Sequence, residues 1–202
     1  MNCVKYIIIS SLYLHYIYIY YGKILITGTG RCGTTFLIKL FSFLDFNTGY
    51  NRNNYKLNIS SNCNSGMERA YTDNYNIIKN PLFIMNIEKI LKDTSIKIKS
   101  VIIPIRDLKM SAKSRVKNGK QNGGLWNATN ELSQINFYKN ILTNYIIIST
   151  KYDIHTIFID FDKMINDKIY LFNKLKNILY EKNIDLEIFS RVYDDVSESS
   201  KP

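Results

Sequence analysis

The sequence predicts a three-layer α/β domain, in which a central parallel sheet of about four to five strands is flanked by helices. Three observations point there. Short β-branched runs alternate with amphipathic helical stretches from residue 23 to residue 180. A glycine-rich turn joins the first run directly to the first helix. The chain has 202 residues, 46% of them hydrophobic, which is enough for one well-filled core.

The elements follow in order. Lys23 to Thr27 is a β-branched run that ends in Gly28-Thr29-Gly30, and Gly33 to Leu44 then carries Phe36, Leu37, Leu40, Phe41 and Leu44 at helical spacing. Residues 45 to 74 are polar and Asn-rich, a long irregular stretch of the kind that lines a site in a compact domain. Tyr75 to Lys79 forms a second strand. Asn80-Pro81 then supplies an N-cap and a first-turn proline for a helix with Phe83, Ile84, Ile87, Ile90 and Leu91 on one face. Ile98 to Ile105 is a buried strand, followed by a basic helix over Asp107 to Lys117. A loop from Gly119 to Gly124 leads to a long helix over Asn130 to Ile148, with Leu132, Ile135, Tyr138, Leu142 and Tyr145 inward. Ile154 to Asp160 is a strand, and Lys168 to Tyr180 a helix packed through Leu171, Phe172, Leu175, Ile178 and Leu179.

Three segments result: a Tyr-rich N-terminal extension over 1–21, a catalytic domain over 22–191 and a polar tail over 192–202. Tyr6 to Tyr21 is an uncharged run of 16 residues, a candidate signal anchor and route to membrane association, with an extra element or a loose extension as the alternatives. The three cysteines show no CxxC spacing, which indicates neither a disulfide framework nor a metal site and favours a reducing, cytoplasmic compartment. A net charge of +10 favours anionic partners, without choosing among nucleotides, glycans and lipid surfaces.

The chemistry concentrates in Gly28-Thr29-Gly30-Arg31-Cys32-Gly33-Thr34-Thr35. A loop between a strand and a helix aims backbone N–H groups and the positive helix end at an anion. Glycines at 28, 30 and 33 let the main chain turn and approach it, and the hydroxyls of Thr34 and Thr35 can donate. Gly28 and Gly33 have the spacing of a Walker A loop, yet Thr34 stands where its lysine belongs, and the basic residue is Arg31. This disfavours a standard P-loop ATPase or kinase.

Arg31-Cys32-Gly33-Thr34-Thr35-Phe36 resembles the 5′-phosphosulfate loop of the sulfotransferase family, a basic residue, a small residue, then Gly-Thr-Thr and a hydrophobic residue. Cys32 replaces the usual Ser. A second match lies downstream in Val101-Ile102-Ile103-Pro104-Ile105-Arg106-Asp107, a strand that ends in Arg, with Ser114 eight residues later on the following helix. In the family such a pair binds the 3′-phosphate, a dianion suited to a guanidinium fork and a hydroxyl. Leu108 departs from a proline common there. The resemblance implies a P-loop-NTPase-like sulfotransferase fold and 3′-phosphoadenosine 5′-phosphosulfate as cofactor. It further implies adenosine 3′,5′-bisphosphate as product and sulfuryl transfer without a metal. The residues implied for cofactor binding are Gly28, Gly30, Arg31, Cys32, Gly33, Thr34, Thr35, Phe36, Arg106 and Ser114.

Arg31 is the candidate for stabilising charge on the leaving phosphate, and Glu68, in the irregular segment, is the candidate base for a hydroxyl acceptor. Lys79, at a strand end, and Trp126, in a Gly-rich loop, are weaker candidates for contact with substrate. His155 reads as a core or edge residue. The acceptor itself, a glycan, a peptide tyrosine, an amine or another small molecule, is not encoded in these motifs, and no nucleic-acid partner is expected. The competing readings are a P-loop-type nucleotide or small-molecule kinase and a catalytically silent nucleotide- or glycan-binding protein.

Overall fold

The computed structural model describes residues 22–60, 65–118 and 124–200. Four strands form one parallel sheet: β1 (Lys23–Ile26), β2 (Ile77–Lys79), β3 (Ile98–Ile105) and β4 (Thr156–Asp160), in the order β2-β1-β3-β4. The helices are α1 (Thr34–Phe43), α2 (Phe83–Lys92), α3 (Leu108–Asn118), α4 (Glu131–Lys151), α5 (Phe161–Asn166), α6 (Lys168–Tyr180) and α7 (Leu186–Glu198). The α/β class and the flanked parallel sheet therefore match the sequence reading.

Alternation along the strands explains the layers. Ile24, Ile26, Ile77, Ile102 and Ile159 face one cluster, filled by Leu37, Phe41, Leu171, Leu175 and Phe189 from α1, α6 and α7. Leu25, Ile78, Val101 and Ile103 point the other way, into Phe83, Ile87, Ala112, Tyr138 and Tyr145 from α2, α3 and α4. Nine of the ten residues of α1 are buried, so this helix is wrapped by the sheet on one side and α7 on the other.

The order of the strands positions the site. From β1 the chain moves to β2 on one side, and from β3 it moves to β4 on the other, so their connections diverge between two adjacent strands. Such a switch point leaves a crevice beyond the carboxyl ends of the strands. Both sequence motifs reach it, one in the loop after β1 and one at the carboxyl end of β3.

Three expectations need correction. Leu132 is 68% exposed, because the face of α4 that meets the core runs instead through Gln134, Tyr138, Ile141 and Tyr145. Asn80 does not cap α2: its Oδ1 accepts from the Leu82 N–H at 3.0 Å in a turn that precedes the helix. Thr27 does this service from β1's end, its Oγ1 accepting from the Ile84 N–H at 3.0 Å. Residues 192–200, read as part of a polar tail, begin within α7, where Val192, Tyr193 and Val196 are buried against α1 and its neighbours. Among the described residues no helix is long and apolar enough to cross a membrane; the candidate anchor over 6–21 lies outside them.

Candidate functional site

The loop after β1 is shaped by left-handed backbone. Gly30 (φ 75°), Arg31 (φ 58°) and Gly33 (φ 89°) all take it, and Arg31 does so with a side chain, a conformation uncommon outside glycine. Such a residue persists where its surroundings over-determine it. Here they do. Arg106 Nη1 donates to the Arg31 carbonyl at 3.1 Å, and Arg31 Nε donates to Ser114 Oγ at 3.2 Å. The two motifs, far apart in sequence, thus meet on one residue.

Gly33 is the N-cap of α1, has no side-chain cap, and is followed by no acidic residue in the first turn. The helix end therefore keeps its positive dipole and its first N–H groups for something else. A Cβ at Gly30 would lie 2.2 Å from Arg115 Nη2, so only glycine lets that guanidinium close on the loop. Arg115 is itself braced: Nε donates to Tyr138 Oη at 2.6 Å, Nη1 donates to the Gly124 carbonyl at 2.7 Å, and the group lies 5.0 Å over the Trp126 ring.

Arg106 stacks 4.6 Å over Phe161. The neighbouring Asp107 spends its carboxylate on the start of α3, accepting from the Met110 N–H at 2.7 Å. Among the described residues no carboxylate pairs with Arg106. That decides against a simple structural ion pair at this strand end.

On the opposite wall Lys79, 1% exposed by its side chain, donates to Glu68 Oε1 at 2.5 Å, to the Gly66 carbonyl at 2.8 Å and to Thr35 Oγ1 at 3.3 Å. Glu68 is held from both sides in sequence. Met67 is buried and its N–H donates to the Asn58 carbonyl at 2.8 Å, while the Arg69 N–H donates to the Lys79 carbonyl at 3.0 Å. The Arg69 guanidinium also lies between the Tyr50 and Tyr75 rings, at 4.5 and 4.8 Å.

These groups share a cavity of about 920 Å³, lined by Gly30, Arg31, Gly33, Thr34, Thr35 and Phe36, by Glu68 and Lys79, and by Arg106, Ser114 and Arg115. Of the residues the sequence singled out, three stand back from it. Gly28 is buried beneath the loop, where a Cβ would meet Cys32 Sγ at 2.7 Å. Cys32 is fully buried, and burial pushes its thiol above the usual range, so its side chain is a packing group. Trp126 packs on Phe137 and Arg115, with its backbone N–H donating to Gln134 Oε1 at 2.6 Å, and does not line the cavity. His155 is exposed beside the edge strand β4, away from this chemistry.

The sequence reading missed the cavity's other end, built from Lys39 on α1, from Tyr55, Lys56, Ile59 and Ser60 in the irregular segment, and from Ser199 and Ser200 beyond α7. One signal was present: Lys39 lies four residues after Thr35 and is the one charged residue of a largely apolar helix. Among the described residues no group of acidic, His and Cys side chains is arranged to hold a metal ion. Comparisons with protein-family models, with curated proteins and with solved structures find no match to this chain.

Proposed function

We propose that this chain is a sulfotransferase that uses 3′-phosphoadenosine 5′-phosphosulfate and transfers its sulfuryl group to a hydroxyl or amine acceptor. The observation that carries the reading is the junction at Arg31. A loop suited to a 5′-phosphosulfate and an Arg106–Ser114 pair suited to a 3′-phosphate are joined through one strained arginine at the sheet's switch point.

The residues present fit the nucleotide. The uncapped α1 terminus, Thr34 and Thr35 offer donors to its 5′ end, and Arg106, Ser114 and Arg115 offer positive charge and a hydroxyl to its 3′ end. When bound, the nucleotide supplies the sulfuryl group, whose bond to the 5′-phosphate breaks as the acceptor oxygen bonds to sulfur. The electron pair leaves with the bisphosphate. Arg31 and the helix end are placed to stabilise that charge.

Glu68 takes the acceptor's proton in this reading. Its partner Lys79 also touches Thr35, so one ammonium connects the base to the phosphate loop. Once Glu68 is protonated its hold on Lys79 weakens, and positive charge is released toward the loop as negative charge grows there. A lysine at Thr35 also gives a second reading some support, since Lys79 could supply from β2 the charge a Walker lysine gives in a kinase.

Thermal stabilisation separates the two. Adenosine 3′,5′-bisphosphate is expected to raise the melting temperature of the parent chain and to have little effect on Arg106→Ala. No shift in the parent, or a larger one with ATP, overturns the sulfotransferase reading.

A further inference from the structure

Lys39 occupies an unusual place for an ammonium. It is 3% exposed, on the face of α1 that also carries Thr35, and it lines the cavity. Its Nζ donates to the Ser199 carbonyl at 3.0 Å and to Ser200 Oγ at 3.4 Å, and lies 4.8 Å over the Tyr55 ring. Among the described residues no carboxylate pairs with it. The charge it does feel is another cation. Burial, and then the Lys56 ammonium, lower the Lys39 amine to about 8. A helix end needs only one lysine to cap its carbonyls, and an exposed one suffices. Two ammonium groups converging on a partly apolar cavity are costly unless an anion joins them.

We propose that Lys39 and Lys56 form an acceptor subsite that holds the carboxylate of an acidic sugar. The inference rests on the sulfotransferase reading. The spacing suits it: four residues of helix separate Lys39 from Thr35, a rise of about 6 Å, roughly the width of one sugar ring. A hydroxyl presented at the loop and a carboxylate on the same or the next ring would span that distance. The wall between matches a saccharide. Phe36, Tyr55 and Ile59 offer apolar surface to ring faces, and Ser60 and Ser65 offer hydroxyls to ring substituents.

The test is calorimetric titration of the full chain with an unsulfated chondroitin tetrasaccharide, which bears glucuronate, against chitotetraose, which is neutral, and tetraglutamate, an acidic peptide. Each titration is run with and without adenosine 3′,5′-bisphosphate. The acidic saccharide is expected to bind at least about tenfold more tightly than the neutral one, and Lys39→Met and Lys56→Met are each expected to remove most of that preference. Lys56 is exposed, so its variant tests the subsite even if the Lys39 variant folds poorly. Equal binding of the two saccharides, tighter binding of tetraglutamate, or a preference untouched in Lys56→Met overturns the subsite. Bisphosphate binding without any saccharide preference sinks this inference alone, whereas saccharide preference without bisphosphate binding sinks the sulfotransferase reading and leaves the anion subsite standing.

Discussion

Lys79 Nζ and Glu68 Oε1 lie 2.5 Å apart, an ammonium almost wholly buried against a carboxylate 40% exposed. The pair is asymmetric: the lysine belongs to the core and the glutamate to the cavity. Changing Glu68 to Gln keeps an acceptor oxygen for Lys79 but removes the charge that balances a buried ammonium, so stability should fall by about 1–3 kcal/mol. Transfer to a hydroxyl acceptor should drop about 10²- to 10⁴-fold while bisphosphate binding persists. Rates from labelled cofactor, read beside a urea titration, check both halves. Near-normal turnover would remove Glu68 from the reaction.

Arg106→Ala deletes the hydrogen bond to the Arg31 carbonyl as well as a guanidinium at the cavity. Bisphosphate affinity should weaken roughly 10- to 100-fold, the range for losing a charged hydrogen bond. Fluorescence titration measures it. Arg106→Lys restores charge without the planar fork, so it should recover only part of the loss.

At Gly33 an alanine would take φ 89° and place its Cβ 2.4 Å from Met164 Cε and 3.0 Å from the Phe161 ring. The methionine end can shift, but the backbone cannot. Gly33→Ala should cost about 1–2 kcal/mol from the left-handed conformation alone. Because Phe161 carries Arg106 on its face, the same change should also weaken bisphosphate binding. Unchanged stability and affinity would mean that this turn relaxes freely.

The lowered Lys39 amine gives a pH signature. Between about 8 and 10.5 the unfolded chain still binds a proton that the folded chain has released, so this residue adds stability as pH rises through that window. Below about 8 that contribution is absent. The groups facing the amine are Lys56, the Ser199 carbonyl, Ser200 and the Tyr55 and Phe43 rings, none of them acidic. Denaturation free energies of the parent and Lys39→Met at pH 7, 8, 9 and 10 should diverge in the parent's favour as pH increases. An acidic ligand, which needs the protonated amine, should bind more weakly over the same range.

Much of this arrangement was legible because its signals are local. Phe36, Leu37, Leu40 and Phe41 announce α1 by spacing alone, and all four are buried. Arg31, Arg106 and Ser114 were named through the resemblance to the sulfotransferase family, whose motifs keep fixed offsets from strand ends. What escaped depends on partners distant in sequence. Leu132 has the period of its helix but lies beyond the surface that α4 meets, so only the packing shows Gln134 to be the inner residue. Lys39 reads as one charged residue in a largely apolar helix until residues 199 and 200 are seen against it. Trp126, named as a candidate for contact with substrate, packs over Arg115, a relation fixed by the start of α4.

The bond between Lys39 and the Ser199 carbonyl spans 160 residues. During synthesis the loop after β1 and α1 emerge before β3, and β3 brings Arg106 to them before α7 is made. The cavity's far wall must wait for α7. A ribosome-bound nascent chain would therefore reach a stage at which the Arg31 end of the cavity is assembled and the far end still lies open, with Lys39 hydrated until residue 199 arrives.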